Sequence, residues 1–575
     1  MSTTASADEA SGPAGEPPEE PARPSRRPSW PVRSVQRLLP GLTLPGAWGA
    51  VVFTCLSLTP SLLPRSGLTQ GLVSGISAAI GYGLGVLAAY VWRAFADREA
   101  RPARPRSLRV FAVAAPLALL VFVVFGLLWQ RELRQLMGSA REPLWLGLLA
   151  PVVALAAFAG LLAVGRGVRR SYRWLSALLG RRIGPRAART VGWLAVAAVV
   201  FFVVTGLLLD GFVALADRAF SVRDRSTPEG VEQPVSALRS GGSGSLVEWD
   251  GLGQQGRIFV AGGPSTADIA AFTGGAALEP VRAYAGIATD EDVELRAARV
   301  VADLERAGGF ERSHLLVATT TGTGWLDPGA VDSFEYITGG DSAIVSMQYS
   351  YLPSWISFVV DQDRAREAGR QLFDAVYERW LARPPDGRPE LYVFGESLGS
   401  FGGEAAFSGE FDLRNRTDGA LFVGPPHFNT LHRQFTDERD PGSREVEPVF
   451  RDGRIVRYSN EIETGAGPAG APWDGTRVLY LQHPSDPIVW WNLSLLYSRP
   501  DWLREEPGRD VLDAMVWIPF VTFWQVTADM PFAVGVPDGH GHHYTRESVD
   551  AWAAILGPPG WSEEKAERLR GLMHD

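Results

Sequence analysis

Between residues 41 and 210 the chain carries five apolar stretches, at about 41–58, 68–91, 110–129, 144–164 and 191–209. Each is near the roughly 20 residues that a helix needs to cross the hydrocarbon core of a bilayer. None of the five contains Asp, Glu, Lys or Arg. This feature restricts the fold more than any other. Backbone N–H and C=O groups cannot be left unpaired in lipid, so the stretches predict membrane-spanning helices. Five of them in succession, joined by short arginine-bearing loops, predict a bundle. Ser74, Gly75, Ala78 and Ala79 give the second stretch the small-residue spacing that lets helix backbones approach closely. Without an acid or a histidine at the centre of any span, the bundle is a poor candidate for a proton- or ion-coupled transporter.

Arginines mark the two ends of the bundle. Residues 1–40, poor in apolar side chains and read as a disordered tail, carry Arg23, Arg26, Arg27, Arg33 and Arg37. The second loop (residues 93–109) and the fourth (166–189) are also arginine-rich. The first loop has only Arg65 and the third has Arg131, Arg134 and Arg141. By the positive-inside rule the tail and the even loops lie in the cytoplasm. Five spans then put everything after about residue 210 outside, in a multi-pass protein of the plasma membrane. The first stretch is the weakest, because Pro45, Pro60 and Pro64 break its flanks; if it does not cross, either the tail or the C-terminal domain changes sides. Net charge is −9, which excludes a nucleic-acid partner as the reading of first choice. The one cysteine, Cys55, lies in an apolar stretch and reads as a small buried residue.

After a juxtamembrane linker (211–250) with a flexible Ser/Gly run at 240–245, the pattern changes to alternating strands and helices. Candidate strands are 257–261, 281–287, 315–319, 343–349, 391–394, 420–423, 478–482 and 532–536. Candidate helices are 290–307, 361–381 and 546–556. This alternation predicts an α/β domain over 251–575, a mostly parallel sheet with helices on both faces. A long insertion at 425–474 is placed like a lid. The apolar run 515–524 is too short for a sixth span and reads as core, as the wall of an acyl-chain pocket or as a membrane contact.

One G-x-S-x-G motif occurs, Gly395-Glu396-Ser397-Leu398-Gly399, behind the apolar run Leu391-Tyr392-Val393-Phe394. A serine on a sharp strand-to-helix turn has its hydroxyl exposed above the sheet, and small flanking residues keep the backbone from colliding. Such a serine needs a histidine as general base and an acid to orient that histidine. In the order Ser, acid, His, the chain offers Asp486 after the strand 478–482, with Asp529 and Asp538 as fallbacks. His542, or His540 in the same Gly-rich loop, follows. The oxyanion donors expected are the N–H of Leu398 and one from Thr321, Gly322 or Thr323. A metal site in the His-rich loop lacks a partner set of carboxylates or thiolates, so neither metal nor cofactor is expected.

The motifs LSLTPSLLPR, ATTTGTGW, YVFGESLGSFGGE, HPSDPIVWW and GHGHHY together resemble those of bacterial, mainly actinobacterial, membrane-anchored α/β-hydrolases. The resemblance covers most of residues 41–570. It implies an α/β-hydrolase fold and a triad of Ser397, Asp486 and His542 or His540, and it supplies no substrate. The functional expectation is a membrane-tethered serine hydrolase acting on a lipid or cell-envelope ester. The alternatives are acyl transfer through the same acyl-enzyme, and a non-catalytic receptor or assembly factor on a hydrolase scaffold.

Overall fold

A computed structural model describes residues 41–99, 102–460 and 472–573. The tail of residues 1–40 and part of the insertion lie outside the described residues. Among the described residues four helices are long and apolar enough to cross a membrane, not five. The first apolar stretch forms α1, Leu44–Ser57, of 14 residues. At 1.5 Å per residue it is about 21 Å long, short of the hydrocarbon core. Thr43 caps its start and Pro60 follows its end, so flanking prolines set its length, as the sequence warned. The long helices are α2 (Gly67–Phe95), α3 (Pro105–Leu136), α4 (Leu144–Leu179) and α5 (Pro185–Asp224). Helix α4 runs through most of the basic segment that reads as a loop, and α5 runs to Asp224, well into the expected linker.

Glycines set the packing of α2. A Cβ at Gly71 or Gly75 would lie 2.6 Å from the carbonyl of Ala150 or Ala154 on α4. On the other side of α2, Gly81 meets the Gly49 carbonyl of α1 at 2.3 Å by the same construction. Backbones this close exclude any side chain, which is the small-residue packing expected of membrane helices.

The α/β domain is built on seven parallel strands in the order β1-β3-β2-β4-β5-β7-β6. They are β1 (Val281–Ala285), β2 (His314–Thr319), β3 (Ser342–Met347), β4 (Glu390–Glu396), β5 (Gly419–Val423), β6 (Val456–Ser459) and β7 (Arg477–Leu481). Helices α6 (Val293–Arg306) and α7 (Gln362–Leu381) each bury one apolar face, Val300, Val301 and Leu304 on the first and Ala365, Ala368, Leu372 and Val376 on the second.

Two expected strands are absent. Residues 257–261 belong to a helix, Gly253–Ala261, because Gly256, Phe259 and Val260 recur at helical spacing and face the core; Gly256 sits against the ring of Tyr284. Residues 532–536 form the end of a 3₁₀ turn, Met530–Phe532, and a loop. The place beside β7 is taken by β6, from within the insertion, with Val456 opposite Val478 and Ser459 opposite Leu481. The insertion is therefore part of the sheet, not only a cover over it. The Ser/Gly run at 240–245 is also packed. Ser240 and Ser245 donate to Asp303 at 2.6 and 2.9 Å.

Candidate active site

Ser397 stands between the end of β4 and a short helix, α8 (Leu398–Glu404), with φ 53° and ψ −125°. That left-handed conformation costs a non-glycine residue of order 1–3 kcal/mol and marks a turn held by its surroundings. The two motif glycines permit it. A Cβ at Gly395 would lie 2.2 Å from the Gly399 carbonyl oxygen, and one at Gly399 would lie 2.3 Å from the Thr319 carbonyl oxygen. The turn is held further by the Ser397 N–H, which donates to the Val423 carbonyl at 2.8 Å, and by the Ser400 hydroxyl, which donates to the Ser397 carbonyl at 2.6 Å.

Asp486 follows β7 and is fully buried. One of its oxygens accepts the Ile488 N–H at 2.8 Å. The other pairs with His542 Nδ1 at 2.6 Å and accepts the Tyr544 hydroxyl at 2.7 Å. The imidazole of His542 rests on Gly424, where a Cβ would lie 2.4 Å from its Cε1. Gly424 directly follows Val423, the residue that accepts the Ser397 N–H. Ser397 and His542 therefore flank the same point at the carboxyl end of β5. The other ring nitrogen of His542, Nε2, is buried and has no hydrogen-bond partner among the described residues. An imidazole fixed through Nδ1 with Nε2 unengaged is arranged to take a proton from a neighbouring hydroxyl.

The remaining candidates separate cleanly. His540 Nδ1 lies 3.1 Å from Asp510, which also accepts the Ser485 hydroxyl, so it belongs to a different pair from His542–Asp486. Asp529 is ion-paired to Arg65 at 3.1 Å. Asp538 lies near His543 and Arg546. Leu398 opens α8, so its N–H is one of the first-turn donors that lack an intrahelical acceptor. In the loop after β2, the Thr321 N–H donates to the Trp325 carbonyl and the Gly322 N–H to the Tyr349 hydroxyl, both at 3.0 Å. Both N–H groups are thus engaged within the protein, and Thr323 is the third member of the set. The Thr321 hydroxyl is also tied to Ser354.

Several neighbours carry no signal of their own in the sequence. Tyr544 bridges Asp486 and the His483 N–H, and its ring stacks on His483 at 4.0 Å. His483 is bonded to Glu547 at 2.6 Å; burial lowers its pKa, but Glu547 and Asp510 outweigh that and leave it raised. Glu396, the variable residue before Ser397, is held well above the carboxylate range by burial, Asp327 and Asp486. Burial also lifts Asp327 to about 6, against hydrogen bonds from Ala330 and Thr545. Only the assembled sheet brings these acids together. Among the described residues no cluster of His, Cys, Asp and Glu is arranged to hold a metal ion.

Residues 281–569 match the family model described as "Alpha/beta-hydrolase family". The chain belongs to this α/β-hydrolase family. Residues 58–264 match the model described as "Alpha/beta-hydrolase family N-terminus", so the membrane helices are part of the family's own pattern. Comparison with curated proteins and with solved structures gave no match. Membership fits both the sheet and the turn that carries Ser397, and it joins the α/β-hydrolase domain to its membrane helices in a single family pattern.

Proposed function

We propose that this α/β-hydrolase is a membrane-tethered serine esterase that cleaves a lipid or cell-envelope ester. Ser397 is the nucleophile, His542 the general base and Asp486 the acid that orients it. One observation carries the reading. His542 is clamped by Asp486 through Nδ1 and offers a free, buried Nε2 beside the strained serine turn. In the reaction the Ser397 hydroxyl attacks the ester carbonyl and its proton passes to His542. The oxyanion takes hydrogen bonds from the Leu398 N–H and from Thr323 in the loop after β2, the alcohol leaves with the proton, and water repeats the sequence on the acyl-enzyme.

An aromatic path supports an apolar acyl group. Phe401, four residues after Ser397, contacts Phe428 at 4.9 Å. The path continues through Phe358 and Trp491 to Phe523, with ring centroids 4.8, 5.6 and 5.7 Å apart. With four spans the arginine-rich segments 93–109 and 166–189 still share one side and the domain after α5 lies on the other, which supports an extracytoplasmic catalytic domain. Gly41 is held by Arg166 of α4, at the end of the bundle away from Arg65. A reporter fused after Asp575 tests that side; activity in the cytoplasm overturns it. For the chemistry, a fluorophosphonate probe should label wild-type protein, and Ser397→Ala and His542→Ala should abolish labelling. A folded wild-type protein that resists the probe would favour the non-catalytic scaffold.

A further inference from the structure

The loop between α1 and α2 leaves the bundle and enters the core of the α/β domain. Leu62 and Leu63 are 0% and 1% exposed and belong to the same apolar cluster as the sheet, together with Leu133 and Met137 at the end of α3. The polar groups of this loop are matched by one helix of the catalytic domain, α9 (Val521–Asp529). Gln525 Nε2 donates to the carbonyls of Thr59 at 2.9 Å and Ser57 at 3.3 Å. Asp529 accepts the Ser61 hydroxyl and the Leu63 N–H, and pairs with Arg65 at 3.1 Å, both side chains being essentially inaccessible to water. Arg65 is fixed from behind by the bundle. Its N–H donates to Gln130 at 2.8 Å, its guanidinium to Gln70 at 3.0 Å, and its carbonyl accepts Arg134 at 2.7 Å.

This junction lies directly under the histidine loop. Asp529 is followed by the 3₁₀ turn Met530–Phe532 and then by Ala533, whose carbonyl accepts the His542 N–H at 2.8 Å. Gly541, at φ 56°, sits in the angle so formed. A Cβ there would lie 2.5 Å from the Ala533 carbonyl oxygen, 2.6 Å from Val536 and 3.4 Å from Cδ2 of Leu63. The backbone that presents His542 is thus pinned by Ala533, and at Gly541 the same turn meets Leu63. In a packed interior such contacts have few alternative arrangements, so a shift of the loop 58–66 must be taken up by the histidine turn.

We infer that residues 58–66 of the membrane domain are a positioning element of the active site, in which Leu63 and the Arg65–Asp529 pair hold the turn that presents His542. The inference rests on the hydrolase reading of His542. The membrane helices then do more than tether. They supply a piece of the catalytic domain and fix the base at the distance that proton transfer needs. A misplacement of about 1 Å can lower a rate about 10²-fold.

The test uses the full-length protein in lipid nanodiscs, with two readouts. The first is the rate of fluorophosphonate labelling, with kcat and KM on a short-chain p-nitrophenyl ester. The second is amide hydrogen exchange in the peptide spanning 533–544. Leu63→Ala and Arg65→Gln should each lower labelling rate and kcat at least about 10-fold with KM within about 2-fold. They should also speed exchange in that peptide, while Arg65→Lys recovers most of both. If Leu63→Ala does not fold, Leu63→Val replaces it. Folded variants with wild-type exchange at His542 overturn the positioning role whatever the labelling. Faster exchange with wild-type labelling and kcat overturns it too. A wild-type protein that resists the probe overturns the hydrolase reading instead, and the exchange data still report whether the loop holds the turn.

Discussion

The membrane helices and the parallel sheet bury their residues by different means. In the bundle, close contact is made by backbone against backbone, at Gly49 with Gly81 and at Gly71 and Gly75 with α4, while large side chains such as Leu148 and Leu155 point outward at 74% and 68% exposure. In the α/β domain the strands are buried on both faces and large side chains such as Phe394, Phe422 and Trp552 fill the interior. The difference follows from solvent. Lipid gives apolar side chains no reason to leave it, so membrane helices associate where their backbones can approach. Water drives the sheet's side chains inward. The two regimes meet at Arg65 and Asp529, where a buried ion pair joins them. Burial pulls Arg65 down and lifts Asp529 to about 6, each against the attraction of the other.

Four substitutions test this contrast, in falling order of effect. Gly395→Ala strikes a place where the α/β domain also packs backbone on backbone. With a Cβ 2.2 Å from the Gly399 carbonyl oxygen, the serine turn must move, and probe labelling should fall about 10²-fold or more. Asp529→Asn breaks the junction and leaves Arg65 buried without a counter-charge. It should lower unfolding stability by about 3–5 kcal/mol, measured by thermal unfolding in detergent. Arg65→Met with Asp529→Leu should recover much of that loss. If the single change costs nothing, the two regions are not joined there.

Asp327→Asn acts within the sheet and depends on pH. The folded pKa of Asp327 is raised to about 6 from 3.8, so the native state binds more protons than the unfolded chain between those values. Stability from this group is therefore lost as pH rises from about 4 through about 6. The two-unit shift corresponds to about 2–3 kcal/mol at neutral pH. Asn keeps an acceptor for the Ala330 N–H, so the variant should gain stability at pH 8 and little at pH 4. A pH-independent change would mean that Asp327 does not carry a displaced proton. Leu148→Ala on the outer face of α4 is the smallest test, with an expected change within about 0.5 kcal/mol. A loss of several kcal/mol would mean that this face is packed against another chain.

The sequence could be read furthest where a pattern is local. Twenty apolar residues specify a membrane helix without help, and Leu391–Phe394 followed by G-x-S-x-G specifies a strand, a turn and a helix. The order Ser, acid, His and a place after the strand 478–482 point to Asp486, a glycine-rich loop points to His542 or His540, and the structure brings Asp486 and His542 together. The residues 257–261 misled because a short apolar run has no period long enough to separate strand from helix. The 532–536 run misled because being a strand depends on a free edge, and β6 already occupies it.

What the sequence alone determined, then, is the pair of building plans: an apolar helical region, and a parallel α/β domain with a serine on a strained turn. Each is written in residues close together in the chain. Tertiary structure decided which histidine meets which acid. His540 and His542 are two residues apart in one glycine-rich loop, yet one faces Asp510 and the other Asp486, because the loop's fold sends their rings in different directions. It also decided that Asp529, a fallback acid by sequence, pairs with an arginine 464 positions earlier. Partners so distant are chosen by the packing of the whole chain, since no local preference links one charge to another across that separation.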